Sequence, residues 1–155
     1  RPNVPKAIQA VQWVALGSGP FNTACAMYTN VTKLPEYLNT SLEVSSDYLY
    51  WCDRLIAGLA DPQFFTSYEV INAYQLNTMA QGYQSLHETD AKLMVLAKEG
   101  KVNLDSMEDE AVHTELEAAN QALMDKIKTQ TTATLGAVLD QRTVTMKNAF
   151  NMNDH

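Results

Sequence analysis

The stretch that decides the fold is VQWVALGSGPFNTACAMYTNVTKLPEY at residues 11–37, in which two runs of strand-forming residues flank a turn. Tryptophan and β-branched residues in the first run predict a strand within residues 7–16. Alternating side chains predict a second strand over residues 23–31. The turn residues Gly17-Ser18-Gly19-Pro20 lie between them and predict an antiparallel hairpin. Because both faces of this hairpin look partly apolar, we expect it to lie between covering layers.

The sequence that follows the hairpin predicts two helices. The first is expected over residues 47–60, because its apolar positions recur every three or four residues and Asp61-Pro62 ends it. The spacing Thr66-x-x-Glu69 predicts a capping box for a second helix that stops at Gly100. The candidates for the N-cap of the first helix are Ser45, Ser46 and Asp47.

A third helical stretch is expected from Asn103 or Asp105, with a break or kink near Gly136 and fraying over residues 151–155. No proline follows Pro62, which agrees with long helices. The predicted fold class is therefore α+β, with a hairpin followed by three mostly long helices. We expect a single domain, with the hairpin part at residues 1–38 and the helical part at residues 45–155.

Composition limits the classes of function. The chain has 155 residues, of which 46% are hydrophobic, and a formal net charge of −7, which is typical of a globular domain. The acidity lies in the helical part, because residues 68–155 carry 13 acidic and 7 basic side chains. A negative surface argues against binding to nucleic acid or to an anionic membrane. No apolar run is long enough to predict a membrane span.

The side chains that could carry chemistry form no complete catalytic set. His87-Glu88 lacks a second histidine at position 91, so no metal site is predicted, and no cofactor motif is present. Cys25 and Cys52 are expected to be buried free thiols, although their spacing leaves a disulfide open. Asp53-Arg54 is expected to form a local ion pair on an exposed helix flank; alternatively, Arg54 reaches towards a site.

The end of the second strand offers the candidate substrate-binding residues. Tyr28, Thr29 and Asn30 carry hydrogen-bonding side chains where the strand is predicted to stop, a common arrangement for lining a pocket. The same residues also suit ordinary turn chemistry at a strand end. Tyr28 and Asn30 are therefore the predicted substrate-binding residues, and no residue of the chain is predicted to be catalytic.

The first half of the chain carries a set of motifs in a characteristic order. They are Arg1-Pro2-Asn3-x-Pro5, Val11-Gln12-Trp13, Gly17, Asn30-Val31-Thr32, Pro35, Asp47, Tyr50-Trp51, Arg54-Leu55-Ile56 and Leu59-Ala60-Asp61-Pro62. In these motifs, and over roughly residues 1–85, the chain resembles the C-terminal part of the bacterial dipeptidases of the N-terminal-nucleophile (cysteine) hydrolase superfamily.

The resemblance implies a four-layer αββα fold in which two sheets lie between helices, and hydrolysis of dipeptides with broad specificity. A cysteine at the mature N-terminus would attack the peptide carbonyl with its own α-amino group as the base, so neither histidine nor metal is needed. That nucleophile is expected upstream of Arg1, in a missing N-terminal part, and the chain alone is expected to be inactive. A homo-oligomer in the cytoplasm is also implied.

A different class of function also fits the second half. Long acidic helices without proline commonly mediate self-association, so the chain could be a helical assembly module with a small docking hairpin. The stripe that would mediate this contact is Val112, Leu116, Ala119, Leu123 and Ile127.

Overall fold

The computed structural model describes residues 1–146. The elements in chain order are α1 (Lys6–Gln9), β1 (Val11–Ala15), β2 (Ala24–Tyr28), α2 (Leu49–Ala60), α3 (Phe64–Lys98) and α4 (Glu110–Thr145). Single 3-10 turns lie at Glu36–Leu38 and Asp61–Gln63. The predicted α+β class, with a hairpin before long helices, is confirmed. The predicted fraying of residues 151–155 lies outside the described residues.

The hairpin is antiparallel, and both strands are shorter than predicted. Its register pairs Val11 with Tyr28, Trp13 with Ala26 and Ala15 with Ala24. The first strand begins only at Val11, because the residues before it form α1. There the Ile8 amide donates to the Pro5 carbonyl, and the Ala7 amide donates to the Leu104 carbonyl. The connection begins at Gly17, whose φ of 91° is readily adopted only by glycine.

α3 covers the face of the hairpin that carries Trp13 and Ala26, and the contact depends on Gly82. A Cβ atom added to Gly82 would lie 3.0 Å from Trp13 Cη2 and 3.3 Å from Ala26 Cβ. A glycine inside a long helix costs stability, so this close approach between helix and sheet explains its presence.

Gly82→Ala is expected to destabilise the fold by about 1–2 kcal/mol, because the crowding of Trp13 outweighs the better helix propensity of alanine. Gly136→Ala is the matched control, since no atom outside its own helix backbone lies within 4 Å of the added Cβ. The control is expected to gain about 0.5–1 kcal/mol. Urea unfolding followed by tryptophan fluorescence measures both, and equal effects of the two substitutions would contradict the close approach.

The predicted cap of α2 is wrong. The helix begins at Leu49, and its N-cap Tyr48 makes no capping bond with its side chain. Ser45 Oγ instead accepts a hydrogen bond from the Asp47 amide, which closes a local turn before the helix.

The capping box predicted at Thr66 and Glu69 is also wrong. Both residues lie inside α3, because the turn Asp61–Gln63 leads directly into a helix that starts at Phe64. The predicted end is confirmed, since α3 stops at Lys98 and Gly100 has a φ of 72°.

α4 begins later than predicted and is not interrupted. Asp109 is its N-cap and accepts hydrogen bonds from the amides of Val112 at 3.0 Å and Asn103 at 2.8 Å. Residues 103–109 therefore form a turn before the helix, although the sequence predicted that the helix would already have begun there. The predicted break near Gly136 is absent from this helix, which continues to Thr145.

The stripe predicted to mediate self-association lies inside the fold. Val112, Leu116, Leu123 and Ile127 are at most 2% exposed and belong to the core that covers the hairpin, with Ala119 packed beside it. This stripe therefore stabilises the fold of the chain itself, and its side chains are not accessible for contact with a second copy.

Candidate functional site

The concave surface best suited to a small ligand is a cleft of about 450 Å³ beside the hairpin, here called the hairpin cleft. Most of its wall is apolar, with a few polar groups, which is the usual composition of a ligand pocket of this size. It is lined by Gln12, Val14, Leu16, Met27, Tyr28, Thr29, Val31, Thr32, Leu34 and Leu38.

A larger groove of about 940 Å³ lies between α4 and the residues 33–37 and 47–48. Its wall is rich in charged side chains, including Lys33, Glu117 and Lys128. Glu117 Oε1 accepts hydrogen bonds from the Thr32 amide, the Thr32 hydroxyl and the Lys33 amide, and these bonds lower the pKa of that carboxyl. We favour the hairpin cleft as the ligand site because it combines apolar walls with few polar groups.

Tyr28 lines the hairpin cleft, but its hydroxyl is held inside the protein. The hydroxyl donates to Asp90 Oδ1 at 2.8 Å and lies 3.2 Å from the Leu86 carbonyl oxygen. The Arg1 guanidinium lies 5.4 Å from the centre of the Tyr28 ring and pairs with Asp90. Burial and the Asp90 carboxylate raise the pKa of Tyr28, so the hydroxyl stays protonated.

Asn30 joins the end of β2 to two other elements. Its Nδ2 donates to the Ala7 carbonyl at 3.1 Å, and its Oδ1 lies 3.2 Å from His113 Nε2 on α4. His113 Nε2 also lies 2.8 Å from the Met107 carbonyl oxygen. The structure thus places both predicted residues at the hairpin end, where Tyr28 lines the hairpin cleft and Asn30 ties the strand to α1 and α4.

Asn120 closes the outer edge of β2 and was missed from the sequence. Its Oδ1 accepts from the Tyr28 amide at 2.9 Å, and its Nδ2 donates to the Tyr28 carbonyl at 3.0 Å. Asn120 is buried, and its amide takes the place of the next strand. The available signal was a single asparagine at a core-facing position, four residues after Leu116 and three before Leu123.

A buried polar network connects α2, α3 and α4. The Tyr74 hydroxyl donates to Asp53 Oδ1 at 2.9 Å and lies 2.8 Å from Thr131 Oγ1. Asp53 is fully buried, and its Oδ2 has no hydrogen-bond partner within residues 1–146. Burial raises the pKa of Asp53 to about 7, and the hydrogen bond from Tyr74 only partly offsets this effect.

The ion pair predicted between Asp53 and Arg54 is therefore wrong. Asp53 points into the core, whereas Arg54 Nη1 donates to Ser18 Oγ at 3.0 Å. Consecutive residues of a helix point in directions about 100° apart, so neighbours in sequence do not face each other.

The two cysteines are buried free thiols, as predicted. Burial raises the pKa of Cys25 to about 12, and burial also raises the pKa of Cys52. Because only the thiolate is a strong nucleophile, neither cysteine is suited to attack a peptide bond at neutral pH.

Within the described part of the chain, no group of three His, Cys, Asp or Glu side chains could hold a metal ion. None of the described helices is both long enough and apolar enough to cross a membrane.

Known proteins resemble this chain along nearly its whole length. Residues 1–77 match the sequence model of Peptidase family C69. Probable dipeptidase A of Streptococcus pyogenes is 37% identical over 155 residues, and the alignment covers 99% of this chain and 30% of that relative. The dipeptidase of Bifidobacterium longum is 33% identical, and 99% of this chain covers 34% of it.

Dipeptidase A of Lactobacillus helveticus is 32% identical, and 91% of this chain covers 27% of that relative. The chain thus spans about a third of the length of the curated relatives that it matches. The family match includes the hairpin, α2 and every residue that lines the hairpin cleft. Residues 1–77 thus carry the sequence pattern of peptidase family C69, and the similarity to the dipeptidase relatives extends along the rest of the chain.

Proposed function

We propose that the chain is part of a longer enzyme that hydrolyses dipeptides, and that the hairpin cleft receives part of the dipeptide. The observation that carries the proposal is the family match over residues 1–77, since it contains all the residues that line this cleft. The names of the relatives, dipeptidase and probable dipeptidase A, indicate the substrate class.

The nucleophile in this proposal is a cysteine outside the 155 residues. Its α-amino group takes the thiol proton, and the thiolate attacks the carbonyl carbon of the dipeptide. The α-ammonium group returns the proton to the peptide nitrogen, so that the C–N bond breaks and the C-terminal amino acid leaves. Water then hydrolyses the thioester that holds the N-terminal amino acid, which releases it and restores the thiol. The buried state of Cys25 and Cys52 supports a nucleophile elsewhere. The same proposal includes the four-layer αββα arrangement, in which the hairpin would join a larger sheet.

Tyr28 and Asn30 have different roles in this proposal. The Tyr28 side chain is 1% exposed and bonds to α3, so Tyr28 would contact the dipeptide in the hairpin cleft only through its backbone. Asn30 would act as a positioning residue, because its bonds to Ala7 and His113 hold the strand end against α1 and α4. Self-association and a cytoplasmic location, both implied by the resemblance, remain predictions that light scattering and cell fractionation would check.

Filling the hairpin cleft tests the substrate site. Val14→Phe, made in the product of the whole gene, is expected to lower kcat/KM for dipeptides by about tenfold or more, because the larger ring occupies space that the substrate needs. Val44→Phe is the matched control on an exposed loop and should leave kcat/KM unchanged. Amino-acid release measures both. An unaffected Val14→Phe enzyme would contradict the cleft assignment, and a wild-type enzyme without dipeptide turnover would contradict the function itself.

Removing both thiols tests the location of the nucleophile. The double variant Cys25→Ala, Cys52→Ala of the whole gene product is expected to keep kcat within about threefold of the wild type, since neither thiol forms a thiolate readily. The 155-residue chain alone should show no turnover. Loss of turnover by a double variant that still unfolds cooperatively, or turnover by the chain alone, would place the nucleophile within this chain.

A further inference from the structure

One side of α3 exposes a row of large apolar residues, here called the α3 stripe: Phe65, Tyr68, Leu76, Met79 and Tyr83. These side chains are between 42% and 94% exposed. Phe65 and Leu76, like Tyr68 and Met79, lie eleven positions apart. A spacing of eleven residues corresponds to about 3.67 residues per turn, so the row stays on one side of a nearly straight helix.

The α3 stripe has the composition of a protein interface. Between Phe64 and Leu86 the only charged residue is Glu69, whereas about 25% of the residues of an average domain are charged. Aromatic residues and methionine are enriched in interface cores, and charges are depleted there. The five side chains expose on the order of 600 Å², the upper end for a patch on a free monomer. The exposed positions of α4 differ, because they carry Glu110, Asp125, Lys126, Lys128 and Asp140.

The α3 stripe adjoins the outer edge of β1. The Tyr83 ring lies 4.9 Å from the Trp13 ring, measured between centroids, so the helix row and the strand are in direct contact. α4 lies at the opposite edge of the sheet, where Asn120 pairs with Tyr28. The uncovered row and the uncovered strand edge therefore share one side of the molecule.

The outer edge of β1 has backbone groups available for another strand. The Thr29 amide donates to the Ala10 carbonyl, so the alternation of an antiparallel pair directs the amides of Val11, Trp13 and Ala15 away from β2. Within residues 1–146, β2 is the only strand that pairs with β1. Such an edge is a template for pairing.

We propose that the α3 stripe and the outer edge of β1 form one docking surface for a strand and a helix from the same longer polypeptide. The strand pairs with β1, and an apolar helix face covers the α3 stripe. This inference rests on the proposed function, in which the chain is part of a longer enzyme. Relatives about three times as long have the additional polypeptide that such a partner requires. A segment of the same polypeptide is tethered to the chain and therefore has a high effective concentration at this surface. A second copy would carry the same net charge of −7, so the two chains would repel each other.

Methionine oxidation in the product of the whole gene tests the docking surface. Met79 lies in the α3 stripe and is 42% exposed, and Met107 lies in the loop before α4 and is 47% exposed. With dilute peroxide, Met79 is expected to oxidise at least about fivefold more slowly than Met107, because the partner helix covers it. Similar rates for the two residues would overturn the proposal.

Two further measurements on the same protein address the helix and the strand separately. Leu76→Glu is expected to lower Tm by about 5 °C or more, whereas Leu139→Glu, on the exposed side of α4, should shift it by less than about 1 °C. Amide exchange at Val11, Trp13 and Ala15 is expected to be slowed at least about a hundredfold relative to an unpaired strand edge. Equal Tm shifts for the two glutamate variants, or fast exchange at all three amides, would overturn the proposal.

Dilution distinguishes a segment of the same polypeptide from a second copy. Protection of Met79 that persists from about 100 to about 1 µM protein supports the proposal, and protection lost on dilution overturns it in favour of a second copy. The proposed function fails separately, through absence of dipeptide turnover. Turnover with an unprotected Met79 would overturn only the docking surface.

Discussion

Asp53→Asn is expected to remove a fall in stability that the wild-type chain shows between about pH 4 and pH 7. The unfolded chain ionises Asp53 near its ordinary pKa of 3.8, whereas the folded protein keeps the carboxyl protonated until about pH 7. The folded state therefore holds one additional proton in this window. Stability from this group is fully present below the unfolded pKa and is lost as pH rises through the folded pKa.

The size of this effect follows from the same shift. A rise from 3.8 to about 7 corresponds to a loss of up to about 4 kcal/mol in the free energy of unfolding. Asparagine keeps an acceptor for the Tyr74 hydroxyl without the buried charge. Asp53→Asn should therefore exceed the wild type in stability above pH 7 and approach it near pH 4.

Urea unfolding at several pH values measures the difference between Asp53→Asn and the wild type. Asp140→Asn, on the exposed side of α4, is the matched control for the loss of one negative charge. A stability curve for Asp53→Asn that runs parallel to the wild-type curve from pH 4 to pH 8 would show that the buried carboxyl does not titrate in this window.

Asn120→Leu is expected to lower the free energy of unfolding by about 3 kcal/mol. Leucine has a similar size but forms no hydrogen bonds, so the amide and the carbonyl of Tyr28 would remain buried without partners. Each such group costs about 1–3 kcal/mol, and repacking of the apolar side chain recovers part of the loss.

Urea unfolding and amide exchange at Tyr28 together measure this loss. Asn77→Leu is the matched control, because Asn77 is an exposed helical asparagine on α3 and the change should stay within about 0.5 kcal/mol. Unchanged exchange at Tyr28 in the Asn120→Leu variant would mean that its backbone groups find other partners.

The features that the sequence predicted depend on local signals. The pattern of residues 11–15 and 24–28 identified two strands, and Gly100 marked the end of α3. The cap positions failed because several local signals competed. Ser45 and Asp47 bond to each other instead of to α2, and Asp109 takes the cap of α4 that was expected at Asn103 or Asp105.

The candidate site was predictable only in part, because several of its contacts join residues that lie far apart in the sequence. Tyr28 and Asn30 could be selected because both lie at a strand end. The bonds of Tyr28 to Asn120 join residues 92 positions apart, and the contact of Tyr74 with Thr131 joins residues 57 positions apart. No local pattern encodes such pairs, so the inward direction of Asp53 and the pairing role of Asn120 required the folded arrangement.

The bonds of Asn120 to Tyr28 also make the sheet one-sided for growth. α4 blocks further addition at β2, which leaves β1 as the open end of the two-stranded sheet within residues 1–146. A sheet with two open ends can propagate from molecule to molecule into a fibril, but a sheet with one open end terminates after a single pairing event. The buried asparagine thus prevents sheet growth at β2, and edge-to-edge association of the 155-residue chain on its own would stop at a pair.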